Sequence, residues 1–440
     1  MKYDFDPIKA CPTCGKVHKT ALQDCIIKSG AMRELPEIVN RYNAKKAFVI
    51  ADINTYPIGG EKIVNILEAA GVPVSKHVFP DKRLEPSEAA VGSLLLHFDA
   101  TCDIIIAFGS GVINDISKLL AFLTNRPYVI VASAAYMDGY AAGSSVVIRE
   151  GVKVTLPSKS PDVIVGDTDV LCAAPVHMAK AGLGDMLAKY VSICEWRLSN
   201  LINGEYYCEE VAEYTRQSLK KCVDGADKLL DRNEESMAAL FAGLINCGKA
   251  MDYAGCTRPG GGVEHYCSHL WDMRGLEFGT KTAPHGIQVA IGTLYAIKAF
   301  HALKGVVPNK EKALAYAKSF DFAAWSEKLT AFLGKSAAPM IALEAKEKKY
   351  DVEKHAKRLD VILEKWDEIL QIVEEEIPSN EEFMKILETI DAPRSIEDIG
   401  LDRSILPMTL MATKDIRDKY ILPRLLFDLG VLEEVAESVC

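Results

Sequence analysis

From residue 46 to residue 172 the chain alternates short apolar runs with amphipathic stretches, and this alternation constrains the fold of its 440 residues more than any other feature. "KAFVIAD", "VSKHVF", "CDIIIAFGSG" and "PYVIVAS" read as strands, and "GEKIVNILEAAG", "PSEAAVGSLLLHF" and "INDISKLLAFLT" read as helices between them. Strands separated by helical patterns of about 10 to 15 residues argue βαβ units and a parallel sheet. "SSVVIREGVKVTLPS" then has period-two patterning around Glu150-Gly151, a hairpin signal, and "PDVIVGDTDVL" reads as a last strand. After Pro175 strand signals vanish, and the text to Cys440 has helical periodicity. Its long charged runs, such as "EAKEKKYDVEKHAKRLDVILEKWDEILQIVEEE", read as solvated helix faces. The expectation is a Rossmann-like α/β nucleotide-binding domain with a parallel sheet over residues 28–172, then an all-helical metal- and substrate-binding domain over 173–440. A Cys/His-containing extension, 1–27, precedes them.

The net charge of −10, without a basic stripe, argues against nucleic acid as a partner. An anionic substrate must therefore meet a local cluster of donors. The first thirty residues lack the apolar core of a signal peptide, and no run of about 18 apolar residues offers a membrane span. A cytoplasmic protein without membrane insertion is expected. Twelve cysteines are scattered through apolar, helix-like contexts such as "VSICEWRL" and "LINCGKAM", and read as reduced core residues.

Several residues carry candidate chemistry. Gly109 and Gly111 stand where a buried strand turns into a helix, a place where backbone N–H groups cradle a pyrophosphate or where a tight turn simply needs glycine. Asp52 ends "FVIAD", as a carboxylate for an adenosine ribose or as a turn cap. Asp138 is the one charge in the small, Gly-rich "ASAAYMDGYAAGSS", placed to bond substrate hydroxyls or to close an Asx-turn. Asp185 lies among apolar residues near a helix start, where it pairs, ligates a metal, or answers the helix dipole. His265 and His269 are i and i+4 in "PGGGVEHYCSHLWDM", so both imidazoles share one helical face. That face holds a metal, a substrate or ordinary packing. His285 follows in "APHGIQVAIGT". An aspartate with two or three histidines suits Zn, Fe or Ni, and three ligands leave one position open.

Taken in order, "MDGYAAGSS", "KVTLPSKSPDVIVGDTDVL", "AGLGDMLAK", "RPGGGVEHYCSHLWDM", "PHGIQVAIGTL" and "KDIRDKYILPRLLFDLGVL" resemble the sn-glycerol-1-phosphate dehydrogenase family. This family sits within the iron-containing alcohol dehydrogenase and dehydroquinate synthase-like superfamily. The resemblance runs from about residue 28 to the C-terminus. It implies metal ligands at Asp185, His265 and His285, a catalytic role for Asp185 and His269, and substrate contacts at Asp138, Asp185 and His269. It implies cofactor contacts at Gly109, Ser110, Gly111, Val112 and Ile113, and again at Ser133, Ala134, Ala135 and Tyr136. Two departures stand out. Ala142 replaces an expected cofactor-contacting serine, leaving Ser144 or Ser145 to substitute, and Thr257 with Gly260, Gly261 and Gly262 alters the loop before the histidines.

The implied reaction is hydride transfer between NAD(H) or NADP(H) and C2 of a phosphorylated triose, with one divalent metal (Zn, Ni or Fe), in a homodimer. Arg258, with Lys153 or Lys159, is the expected phosphate donor set, because an acidic protein needs such a local cluster. The alternatives are a glycerol or other small secondary-alcohol dehydrogenase, and a relative that binds nucleotide or metal without turnover. Glutamate is usual where this chain has Asp185 in the superfamily's dehydroquinate synthases, which argues against a lyase. Finally, "CPTCGKVH" gives Cys11, Cys14 and His18 zinc-knuckle spacing, with Cys25 as the fourth donor. A small hairpin with reduced thiols is its default reading.

Overall fold

Isoleucine and valine dominate Ile104–Gly109, Tyr128–Ala132 and Val163–Asp167, so these segments need apolar cover on both sides. In the computed structural model, which describes residues 5–150 and 152–439, all three are fully buried strands inside one sheet. The strands are β1 (Asp24–Lys28), β2 (Ala47–Asp52), β3 (Val74–Phe79), β4 (Ile104–Gly109), β5 (Tyr128–Ala132), β6 (Ser144–Arg149), β7 (Val152–Pro157) and β8 (Val163–Asp167). Six of them form a sheet in the order β1-β8-β5-β4-β2-β3, with every neighbouring pair parallel. Burial is partial in the edge strands β1 and β3. β1 is absent from the sequence reading, whose first strand begins near residue 46.

β6 and β7 form a separate antiparallel hairpin with Arg149 opposite Val152. Glu150 holds φ +54°, as a two-residue hairpin turn demands, while Gly151 lies outside the described residues.

From β2 to β5 the crossovers are carried by α1 (Glu61–Ala69), α2 (Glu88–His97) and α3 (Gly111–Thr124). Strand order reverses between β2 and β4, and in sheets of this kind ligands settle in the crevice at the carboxyl ends of such a pair. Thr55 ties the two ends together: its Oγ1 lies 3.1 Å from Asp52 Oδ1 and 3.2 Å from the Phe108 carbonyl.

From Val176 onward every regular element among the described residues is helical. The helices that bear on function are α4 (Val176–Leu187), α5 (Lys189–Asn203), α6 (Glu234–Ala254), α7 (Val263–Phe278) and α8 (His285–Leu303). By its internal contacts the chain divides into two units, Met1–Met186 with Glu213–Cys256, and Leu187–Ala212 with Thr257–Cys440. The first holds the sheet, nearly all of α4, and α6. The second holds α5, α7 and α8.

Within the second unit α7 and α8 pack closely at Gly292, where a Cβ would stand 2.5 Å from the Glu264 carbonyl oxygen. Among the described residues α8 is the one helix long and apolar enough to cross a membrane, but 83% of that stretch is buried inside the protein, as befits a core helix.

Candidate functional site

In the first unit the carboxyl end of β4 leads through Gly109, Ser110 and Gly111 into the N-terminus of α3. Gly109 is required by packing, since a Cβ there would lie 2.5 Å from Ile113 Cβ. At Gly111 a Cβ would meet Met137 only at 3.7 Å, an ordinary contact. Its bareness therefore leaves backbone N–H groups open to a ligand rather than relieving a clash. Ser110, Gly111 and Val112 are half-buried, whereas the Ile113 side chain belongs to the core, so only its backbone faces that role. The next strand end is bonded to this turn, with Ser133 N–H donating to the Gly109 carbonyl at 3.0 Å. Ser133 and Tyr136 are half-buried, while Ala134 and Ala135 are buried.

Asp52 acts as a turn cap. Its Oδ1 accepts from the Asn54 and Thr55 N–H groups, both at 2.8 Å. Oδ2 has no hydrogen-bond partner among the described residues, so the cap leaves one oxygen available at the end of β2.

The segment after β5 is held from beneath by α3. Buried Asn114, in place of the third glycine of a dinucleotide fingerprint, donates to the Gly139 and Tyr140 carbonyls and accepts from the Tyr128 hydroxyl at 2.9 Å. One turn on, Lys118 is 1% exposed, pairs with Asp115 at 2.9 Å, and donates to the carbonyls of Gly139, Ala142 and Ser144. An i, i+4 polar pair on an otherwise apolar helix face was the available signal for this clamp, and sequence reading passed over it.

The clamped segment carries Asp138, whose N–H donates to Asp185 Oδ2 at 2.9 Å. Its own carboxylate Oδ2 lies 3.1 Å from the Cys247 thiol on α6. Asp185 is fully buried on α4, and Gly182, three residues earlier, lets that helix approach the Ala135 carbonyl to within 2.3 Å of where a Cβ would be. Ser145 is buried and bonded to the Asp115 carbonyl and to Ser158, both at 2.9 Å. It is thus engaged within the fold, and Ser144 is the half-buried hydroxyl left to stand in for the serine replaced by Ala142.

In the second unit three imidazoles converge. The His265 and His285 ring centres are 5.4 Å apart, and those of His269 and His285 5.9 Å. Buried Glu264 meets His265 Nδ1 at 2.9 Å while the same oxygen accepts the Gly262 N–H at 2.6 Å. Ser268 Oγ meets His285 Nδ1 at 3.0 Å. His265 and His285 thus each have one ring nitrogen held by a neighbour, the usual arrangement of metal-binding histidines. Glu264 and Ser268 went unrecognised in the sequence, although each stands beside or within the histidine motif.

Below them Glu195 accepts from the Val263 and Leu422 N–H groups. Burial, then the charge of Glu264, pushes the Glu195 carboxyl up to about 8. Gly262 separates the two acids, and a Cβ there would fall 2.0 Å from Glu195 Oε2.

Two of the expected phosphate donors, Arg258 and Lys159, stand in ion pairs. Arg258 is 2% exposed, and it donates to both Glu205 oxygens at 2.8 and 2.5 Å, to Ser199 and to the Tyr420 carbonyl. It closes an ion pair with half-buried Glu205 instead of reaching for a ligand. Lys159 is paired with Asp162 at 2.7 Å and donates to the Arg126 carbonyl.

Comparison with known proteins gives consistent results. The family model for iron-containing alcohol dehydrogenases matches residues 26–175. A glycerol-1-phosphate dehydrogenase [NAD(P)+] of Halalkalibacterium halodurans is 26% identical over 93% of this chain and 93% of its own length. One from Bacillus licheniformis is 31% identical over 69% of this chain and 77% of its own length. Among solved structures, glycerol dehydrogenase from Schizosaccharomyces pombe superposes with a TM-score of 0.63 at 18% identity, over 97% of this chain and 93% of that one, a likeness of fold. The chain belongs to the glycerol-1-phosphate dehydrogenase family of iron-containing alcohol dehydrogenases, a family of NAD(P)-dependent oxidoreductases.

Proposed function

We propose that this protein interconverts dihydroxyacetone phosphate and sn-glycerol 1-phosphate, passing hydride between C4 of a nicotinamide and C2 of the substrate. The observation that carries this reading is the similarity along 93% of both chains to a protein named glycerol-1-phosphate dehydrogenase. NAD(H) or NADP(H) would take its pyrophosphate to the N–H groups of residues 109–113, with residues 133–136 alongside. The open Oδ2 of Asp52 would bond the ribose and, by its charge, disfavour a 2′-phosphate.

We assign Asp185, His265 and His285 as ligands of one divalent cation, Zn, Ni or Fe. The donor chemistry fits: one buried carboxylate, and two imidazoles each oriented through its second nitrogen. When bound, such an ion stabilises negative charge on the C2 oxygen as a Lewis acid. Asp138 bonds a substrate hydroxyl, and its thiol partner Cys247 holds the carboxylate in position. His269 delivers the proton that the C2 oxygen gains on reduction. The enzyme would work in the cytoplasm as a homodimer, which sedimentation would test.

A second reading, oxidation of glycerol or another small secondary alcohol, is favoured by one observation. Arg258 and Lys159 are already ion-paired and offer no ready phosphate site. The deciding experiment follows NADH oxidation by metal-reconstituted protein with dihydroxyacetone phosphate and with unphosphorylated dihydroxyacetone, each product assigned by a chiral enzymatic assay. Preference for the phosphate ester with sn-glycerol 1-phosphate as product supports the first reading. Equal or better turnover of the unphosphorylated ketone replaces it with the second.

A further inference from the structure

The N-terminal "CPTCGKVH" takes no part in the chemistry above, yet the fold draws its polar atoms together. Cys11 N–H donates to the Lys16 carbonyl at 2.8 Å, and Gly15 N–H donates to the Cys11 carbonyl at 2.9 Å. Gly15 sits at φ +73°, the left-handed conformation that lets the chain turn back so sharply. The result is a tight loop in place of the hairpin expected by default. Potential ligand atoms of Cys11, Cys14 and His18 all lie within 4.8 Å of one another. Cys25, the sequence's candidate fourth donor, instead stands in β1 opposite Ile164 and outside this cluster.

Two features distinguish the cluster from packed thiols. First, His18 Nδ1 lies 2.7 Å from the Tyr253 carbonyl. A carbonyl only accepts, so Nδ1 carries the proton and Nε2 presents a lone pair. The ring is held in that pose by edge contacts with Phe5, at 4.8 Å, and Tyr253, at 6.3 Å. Second, Nε2 stands 3.5 Å from Cys14 Sγ. Bonds of about 2.3 Å to sulfur and about 2.0 Å to nitrogen, at the tetrahedral angle, separate S and N by about 3.5 Å. A dithiol meant for a disulfide needs no imidazole aimed at it. A zinc site does, with the ring's other nitrogen on a carbonyl.

We propose that Cys11, Cys14 and His18 bind one structural zinc ion, with a residue set separate from the one assigned to hydride transfer. The ion would fasten the N-terminal segment to the last turn of α6. Thr20 already bonds Asp252 there at 2.8 Å, beside Tyr253 in the chain.

The test uses the full chain with His265→Ala and His285→Ala, which removes the assigned catalytic ligands. Metal content after exhaustive dialysis should be about one zinc per chain. Adding Cys14→Ser, or separately Cys11→Ser, should abolish it, while Cys102→Ser and Cys172→Ser should not. Cobalt(II) exchanged into the two-histidine variant should show tetrahedral d–d bands and thiolate charge-transfer absorption. Both signals should vanish with Cys14→Ser and persist with Cys14→His. Serine exchange of the remaining cysteines one at a time, read by the same bands, would identify any further thiolate ligand. Full zinc content in the Cys11→Ser and Cys14→Ser variants would overturn the proposal. So would zinc-free protein purified from zinc-supplemented cells, or a Cys11–Cys14 disulfide found by mass spectrometry.

Discussion

Glu264 Oε1 lies 2.9 Å from Nδ1 of His265, and this contact sets which nitrogen the histidine offers to its surroundings. The carboxylate is completely buried and also accepts the Gly262 N–H, so it is fixed before any ligand arrives. Glu264→Gln keeps the shape but removes the charge that enforces the tautomer. Metal affinity should fall about 10- to 100-fold, measured by competition with a chelator. Unchanged affinity would show that Glu264 merely packs.

Lys118 supports the segment that carries Asp138. Lys118→Met removes the donor from three carbonyls and leaves Asp115 without its buried partner. Stability should fall by about 2 to 4 kcal/mol in urea unfolding. The residual folded enzyme should show a raised KM for its carbonyl substrate. A loss of stability with an unaltered KM would confine Lys118 to scaffolding.

Arg258→Ala should damage stability much more than catalysis. It leaves a void and strands Glu205, whose partial exposure lets water take up some of the lost charge pairing, so the cost should be about 1 to 3 kcal/mol. The KM for dihydroxyacetone phosphate, measured at a temperature where the variant is folded, should be unchanged. A tenfold rise in KM would return Arg258 to the substrate.

Glu195 makes stability depend on pH in a defined direction. Burial, then Glu264, raises its carboxyl to about 8, against an ordinary value near 4.5. Between these values the folded chain keeps a proton that the unfolded chain has released. The contribution of Glu195 is therefore full in acid, below about pH 4.5, and is lost as the pH rises through about 8. Glu195→Gln should flatten the fall in Tm between pH 5 and 8, whatever constant offset follows from losing one accepting oxygen. An identical slope in both proteins would place the carboxyl at its ordinary acidity.

The inner strands of the sheet were plain in the text because burial on both faces demands unbroken runs such as "IIIA" and "YVIVA". β1 was not. "DCIIK" is short and half-buried, and its partner β8 lies about 140 residues further on, so no local pattern marks it. The histidines announced themselves through their spacing, because i and i+4 share a helix face. Arg258 misled for the opposite reason. A lone arginine before a glycine-rich loop looks available, and nothing near it names Glu205, 53 residues away, as its partner. Long-range ion pairs are fixed by the packing of helices, and residue spacing does not record them.

The grip of α3 on the substrate segment has a kinetic consequence. The same helix begins at the glycine turn assigned to the pyrophosphate and holds the 139–144 backbone through Asn114 and Lys118. Whatever steadies the first turn of that helix steadies the loop as well, so the two binding events share one lever. Substrate entering before the nucleotide meets a looser loop than substrate entering after it. Initial-rate patterns should accordingly show a compulsory sequence, with the nucleotide first on and last off.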